Sequence, residues 1–172
     1  MKIGFLGGSF DPIHFGHLDL AIQMLEKHGL DEILFCPAFC SPFKKDRPPH
    51  ASAEHRLEML RRVLADVPHI RLTPIELERS EISYTIDTLK SLKRPDAQYR
   101  LILTKESAAS FANWKQPEEI ARLAPPLIGE KTFSMSSTEI RERLNKKLYC
   151  GHLIPEKALY YIQKHQLYLP TV

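Results

Sequence analysis

What most constrains this chain is the alternation of short apolar runs with amphipathic helical stretches along its 172 residues. "KIGFL" (2–6) is a buried-type run, and "EILFCP" (32–37), "QYRLILT" (98–104) and "PPLIG" (125–129) read as further strands. Between the first two, Leu18, Ala21, Ile22 and Leu25 follow the i, i+3, i+4, i+7 spacing of a helix that Gly29 ends. "AEHRLEMLRRVLADV" (53–67) carries Leu57, Leu60, Val63 and Leu64 on one side. "HIRLTPIEL" (69–77) reads as extended, and "SYTIDTLKSLK" (83–93) as a helix with Ser83 a candidate cap. "PEEIARLA" (117–124) starts on Pro117, and Ser136 with Glu139 forms a capping box that opens another helix. Pro155 opens a closing helix. Strand-helix alternation at this pace predicts an α/β domain on a mainly parallel sheet. One domain over 1–172 is expected, with a C-terminal helical part from about 136 to 172. In such sheets ligands bind beyond the carboxyl ends of the strands, where the strand order reverses.

Composition excludes several classes. No apolar run approaches the roughly 18–20 residues of a membrane helix. The start "MKIGFLGGSFDP" meets Gly-Gly and Asp-Pro too soon for a signal peptide. Cys36, Cys40 and Cys150 are odd in number and sit in apolar surroundings, as expected of reduced structural thiols in a cytoplasmic protein. The net charge is +3, but its basic clusters are scattered among acids, which favours solvated faces over a nucleic-acid stripe. The loop "AFCSPFKKDRPPHAS" (38–52) is long enough to suggest a functional role.

"GGSFDPIHFGH" (7–17) lies at the carboxyl end of the first strand. Gly7 and Gly8 allow close backbone approach and positive φ, and Ser9 adds a hydroxyl to the backbone donors. A helix starting near His17 offers unpaired N–H groups and partial positive charge to an anion. His14 and His17 flank Gly16, which leaves space for a bulky group. Two imidazoles there suit the spreading charge of a phosphoryl transition state. The alternatives are zinc ligation, which lacks a third ligand, and a plain Gly-rich turn with surface histidines.

The stretch resembles the (H/T)-x-G-H signature of the nucleotidyltransferase superfamily, and "SSTEIR" (136–141) is similar to its second signature, S-T-x-x-R. "SYTIDTL" (83–89) and "SAASFANWKQPEEIARLA" (107–124) resemble segments of nicotinate-nucleotide adenylyltransferases. "ASAEHRLEMLRRVL" (51–64) is also similar to theirs. The resemblance implies a single Rossmann-like, doubly wound domain and adenylyl transfer from ATP to nicotinate mononucleotide in NAD biosynthesis.

Carried over by position, it implies that His14, His17 and Arg141 are catalytic. Gly7, Gly8, Ser9 and Phe10 would lie under the nucleotide, with Ser137 and Thr138 on its β and γ phosphates. For Ser137 and Thr138 alone, plain helix capping is the competing role. Lys44 would approach the mononucleotide phosphate unless it is a solvated loop lysine. Tyr84 and Thr85 would meet the pyridine carboxylate, Trp114 would stack on the ring unless it is a core residue, and Lys115 would favour nicotinate over the amide. Asp11 is expected to brace the turn. Magnesium would enter with ATP, mostly on phosphate oxygens, with no protein metal site. The implied partners are ATP and nicotinate mononucleotide, with a homo-oligomer allowed and neither nucleic acid nor membrane.

The chain departs from the family after "RLIL". Thr104-Lys105-Glu106 stands where Gly-x-Asp is usual, so Glu106 is the candidate acid on the nucleotide side. The stretch from Trp114 to "SST" is also shorter than the family norm. Rival readings are another acceptor (phosphopantetheine or nicotinamide mononucleotide), a nucleotide sensor with reduced catalysis, or a nucleic-acid module.

Overall fold

Along β1 (Lys2–Gly8) the side chains alternate between two buried faces, Ile3 and Phe5 on one and Leu6 on the other, so the strand must be covered on both sides. The computed structural model describes residues 1–44, 46–130 and 135–170. The other strands are β2 (Glu32–Pro37), β3 (Ile70–Leu72), β4 (Gln98–Thr104) and β5 (Pro126–Gly129). All four pairings are parallel, in the order β3-β2-β1-β4-β5. The chain winds outward from β1 to β3, then crosses to β4 on β1's other side, so the order reverses at β1. The crevice beyond the carboxyl ends of β1 and β4 is therefore the position a doubly wound sheet offers a ligand.

Helices cover both faces. One core joins Leu6, Ile33, Phe35 and Ile102 to α1 (Phe15–His28), α2 (Ala53–Leu64), α7 (Ser137–Asn145) and α8 (Glu156–Lys164). The other joins Ile3, Phe5, Leu101 and Leu103 to α4 (Thr85–Leu92) and α6 (Pro117–Leu123). Gly4 is required where three side chains converge, because a Cβ there would lie 2.5 Å from Ile33 Cδ1 and 2.8 Å from Ile102 Cδ1. Among the described residues no helix is long and apolar enough to cross a membrane.

The structure corrects several expectations. The stretch read as extended holds the three-residue β3 and then the helix α3 (Ile75–Arg79), entered through Pro74 with Glu76 and Glu78 in its first turn. Five residues are too few for periodicity to reveal. Ser83 does not cap α4: Tyr84 is the N-cap, and Ser83 Oγ instead accepts from Phe39 N–H at 2.9 Å. In α1 the buried residues are Leu20, Ala21 and Met24, and Ile22 is exposed. In α2, Arg56 and Met59 are buried with Leu60, Val63 and Leu64, while Leu57 is half-buried. The helices at Pro117, Ser136 and Pro155 begin as expected, with Ser136 Oγ accepting from Glu139 N–H at 3.2 Å.

Candidate active site

At the end of β1 the chain does not take the conformation expected of its glycines. Gly7 and Gly8 stay in the strand, and the left-handed φ (47°) falls on Phe10. A Cβ on Gly8 would lie 3.1 Å from the Phe10 ring, so Gly8 makes room for Phe10 to fold back into the core. There Phe10 meets His17 edge-on at 4.9 Å and Phe35 at 5.2 Å, forming an apolar floor under the imidazole. The Ser9 carbonyl accepts from Arg56 Nη1 at 2.8 Å.

Helix α1 begins at Phe15, two residues earlier than expected, with buried His14 as its N-cap. His17 thus lies within the first turn. Its Nδ1 accepts from His14 N–H at 3.2 Å, which assigns the proton of the neutral ring to Nε2. The two imidazoles stack with centroids 3.7 Å apart. Gly16 does not leave open space: a Cβ there would lie 3.1 Å from both His14 Nδ1 and Met135 Cγ. Gly16 N–H donates to Met135 Sδ at 3.2 Å, so a thioether covers part of this helix N-terminus.

Helix α7 docks on the same turn. Arg141 Nη1 donates to the Asp11 carbonyl oxygen at 2.7 Å, and Ser137 Oγ donates to the Pro12 carbonyl oxygen at 3.0 Å. Arg141 Nη2 donates to Thr138 Oγ1 at 3.1 Å. The capping oxygen comes from Ser136, leaving Ser137 for this tertiary contact. The fold thus brings His14, His17, Ser137, Thr138 and Arg141 to one turn.

Beneath it lies a polar frame. Asp11, almost wholly buried, accepts from His50 N–H (2.7 Å), Ala51 N–H (3.1 Å) and Tyr168 OH (2.6 Å). Arg56 is 1% exposed and spends its guanidinium on the carbonyls of Ser9, Ala38, Phe39 and Ala51. Burial pulls its pKa down, while Asp11, Tyr168 and Cys40 oppose that. Asp11 braces the turn, as expected of it; Arg56, Met135 and Tyr168 were not foreseen. Arg56 left a trace, a cation spaced i, i+4, i+7 with Leu60 and Val63 on the apolar stripe of α2.

A second group forms beside α4. Tyr84 caps the helix and Thr85 begins it. Lys115 pairs with Asp87 at 2.9 Å and sits 4.4 Å over the Tyr84 ring. Trp114 is half-buried, with Phe111 at 5.4 Å and Phe43 at 6.3 Å, and its Nε1–H has no partner among the described residues. A cavity of about 240 Å³ adjoins this group, lined by Tyr84, Asp87, Ser83, Glu76 and Arg79 among others; neither the two histidines nor Arg141 lines it. Lys44 ends a 3-10 turn (Pro42–Lys44), and the contact expected of its side chain lies outside the described residues.

Glu106 is exposed in the first turn of the five-residue α5 (Lys105–Ala109). Thr104 Oγ1 accepts from Ser107 N–H at 3.3 Å, and Lys105 pairs with Glu130 at 2.7 Å across the ends of β4 and β5. The foreshortened stretch after Trp114 includes 131–134, outside the described residues. Among the described residues no group of three or more His, Cys, Asp or Glu is placed to hold a metal ion.

The family model described as cytidylyltransferase-like matches residues 5–143. The probable nicotinate-nucleotide adenylyltransferase of Salinibacter ruber is 33% identical over 195 aligned positions, covering 99% of this chain and 100% of the relative. The probable nicotinate-nucleotide adenylyltransferase of Hydrogenobaculum is 35% identical, covering 98% of each. Among solved structures, Plasmodium falciparum nicotinic acid mononucleotide adenylyltransferase complexed with NaAD superposes with a TM-score of 0.78 at 22% identity, over 97% of both chains, and so shares the fold. The fold carries both signatures to one turn and relatives match along the whole chain; this protein belongs to the nicotinate-nucleotide adenylyltransferase family.

Proposed function

We propose that this chain transfers the adenylyl group of ATP to nicotinate mononucleotide, releasing pyrophosphate and forming deamido-NAD, a step in NAD biosynthesis. The observation that carries this reading is the docking of α7 on the histidine turn, Arg141 Nη1 to the Asp11 carbonyl at 2.7 Å. It makes one phosphate-facing surface from two distant signatures.

An oxygen of the acceptor's 5′-phosphate attacks the α-phosphorus in line, and the bond from that phosphorus to the oxygen bridging the β-phosphorus breaks. Pyrophosphate leaves with the bond's electron pair. The attacking phosphate is ionised at neutral pH, its second pKa being about 6, so no protein base is needed. His17 Nε2–H and His14 stabilise the charge spreading over the α-phosphoryl oxygens, and Arg141 with the start of α7 holds the outer phosphates. Magnesium, carried in with the triphosphate, would neutralise part of its charge. Asp11 is already engaged by three donors, so the ion would be held mostly by phosphate oxygens and water. Tyr84, Thr85, Trp114 and Lys115 form the acceptor side, where stacking on Trp114 and the cation favour a pyridine carboxylate over its neutral amide.

The test is pyrophosphate release with Mg-ATP and three acceptors in parallel. Release is expected with nicotinate mononucleotide, much less with the amide and none with phosphopantetheine. Activity with phosphopantetheine alone overturns the assignment.

A further inference from the structure

The residues after α8 reach back to the turn that follows β1. Helix α8 ends at Lys164, and the chain then reverses through left-handed φ angles at Gln166 (52°) and Tyr168 (62°), a conformation that side-chain-bearing residues disfavour. Leu167 N–H donates back to the Ile162 carbonyl at 3.0 Å, and both Leu167 and Tyr168 pack on the larger core. The turn aims Tyr168 inward, and its hydroxyl donates to Asp11 Oδ1 at 2.6 Å. Burial, with the charge and hydrogen bond of Asp11, pushes the phenol pKa up, so it remains a donor. Asp11 in turn offers its backbone carbonyl to Arg141 at 2.7 Å and its Oδ2 to the same guanidinium nitrogen at 3.8 Å. Tyr168 is thus one residue removed from the arginine assigned to the outer phosphates.

We infer that Tyr168 is a positioning residue for the triphosphate: through Asp11 it fixes the carbonyl on which Arg141 is aimed, making the segment after α8 part of the ATP site. This rests on the adenylyl-transfer reading for its kinetic consequence, but binding of Mg-ATP tests it independently. A side chain that only anchored the terminus would lower thermal stability and leave ligand affinities alone.

The experiment compares Tyr168→Phe, Arg141→Lys and the double variant in the full chain, by calorimetric titration with Mg-ATP and by KM and kcat for each substrate. Tyr168→Phe should weaken Mg-ATP binding and raise its KM by roughly tenfold, the scale of one hydrogen bond to a charged group, with the acceptor KM unchanged. The double variant should bind no more weakly than Arg141→Lys alone, because the tyrosine acts through the arginine. Unchanged Mg-ATP affinity in Tyr168→Phe overturns the inference, as does a multiplicative double variant. A wild type that binds Mg-ATP but adenylates no nicotinate mononucleotide defeats the functional reading and leaves this one to the titrations.

Discussion

Arg141 Nη1 and the carbonyl oxygen of Asp11 lie 2.7 Å apart although 130 residues separate them in the chain. The contact joins a helix from the second half of the molecule to the turn that follows the first strand, and it orients the guanidinium beside the stacked histidines' turn. Replacing Arg141 by Lys keeps the charge but loses the planar fork that can donate to Asp11, Thr138 and a phosphate together. The KM for ATP should rise by roughly 10- to 100-fold, with the acceptor KM little changed. Steady-state kinetics with each substrate varied in turn checks this.

His17 contributes differently. Its Nδ1 is used on His14 N–H, so the chemistry falls to Nε2–H. His17→Ala should cut kcat by about 100- to 1,000-fold, the range for losing one preorganised donor to transition-state charge. Circular dichroism should show the fold intact, and a kcat within a few-fold of wild type would remove His17 from the mechanism.

Trp114 is the single tryptophan of the chain, so its fluorescence reports on its surroundings without interference. Nicotinate mononucleotide should quench it and Mg-ATP alone should not. Trp114→Ala should raise the acceptor KM by about two- to tenfold and leave that of ATP unchanged.

Arg56 holds four backbone carbonyls from inside the core. Arg56→Ala would leave these acceptors unpaired and should destabilise the chain by about 3–5 kcal/mol, read from urea unfolding. Arg61→Ala, on the exposed side of the same helix, should change stability by less than about 0.5 kcal/mol.

Glu76 is buried beside β2 and accepts from Thr88 Oγ1 at 2.6 Å. Burial pushes its carboxyl above the ordinary 4.5, and hydrogen bonds from Thr88, Ser83 and Cys36 with the charge of Arg79 oppose the shift. The folded chain therefore keeps this proton to higher pH than the unfolded chain. The corresponding stability is complete below pH 4.5 and is lost as pH rises through the folded value. In Glu76→Gln that loss should disappear, so the variant should gain on wild type as pH rises above 4.5. A stability difference that does not change with pH would refute the assignment.

Several elements were legible in the chain because their signals are local. The strands at 2–6, 32–37 and 98–104 are short apolar runs, Pro117 and Pro155 mark helix starts by their backbone chemistry, and Ser136 marks one by its capping hydroxyl. Asp11 could be read as a brace that works through backbone contacts. Helix α3 could not be read, since five residues are less than two helical turns. The positive φ was assigned to glycines by general preference, but packing gave it to Phe10, whose buried ring offsets the strain. Gly16 reads as space in the sequence, and Met135, 119 residues along the chain, fills that space.

Local patterns in the chain suffice for the α/β alternation, the reversal-point turn with its two histidines, and the chemistry of a phosphate site, since periodicity and turn residues act over about ten neighbours. Which side chains complete that site depends on long-range packing. Buried Asp11 must fill its lone pairs, and the fold supplies donors 39, 40 and 157 residues away. No local pattern encodes such a choice, because it depends on which loops the packed core brings within hydrogen-bond reach.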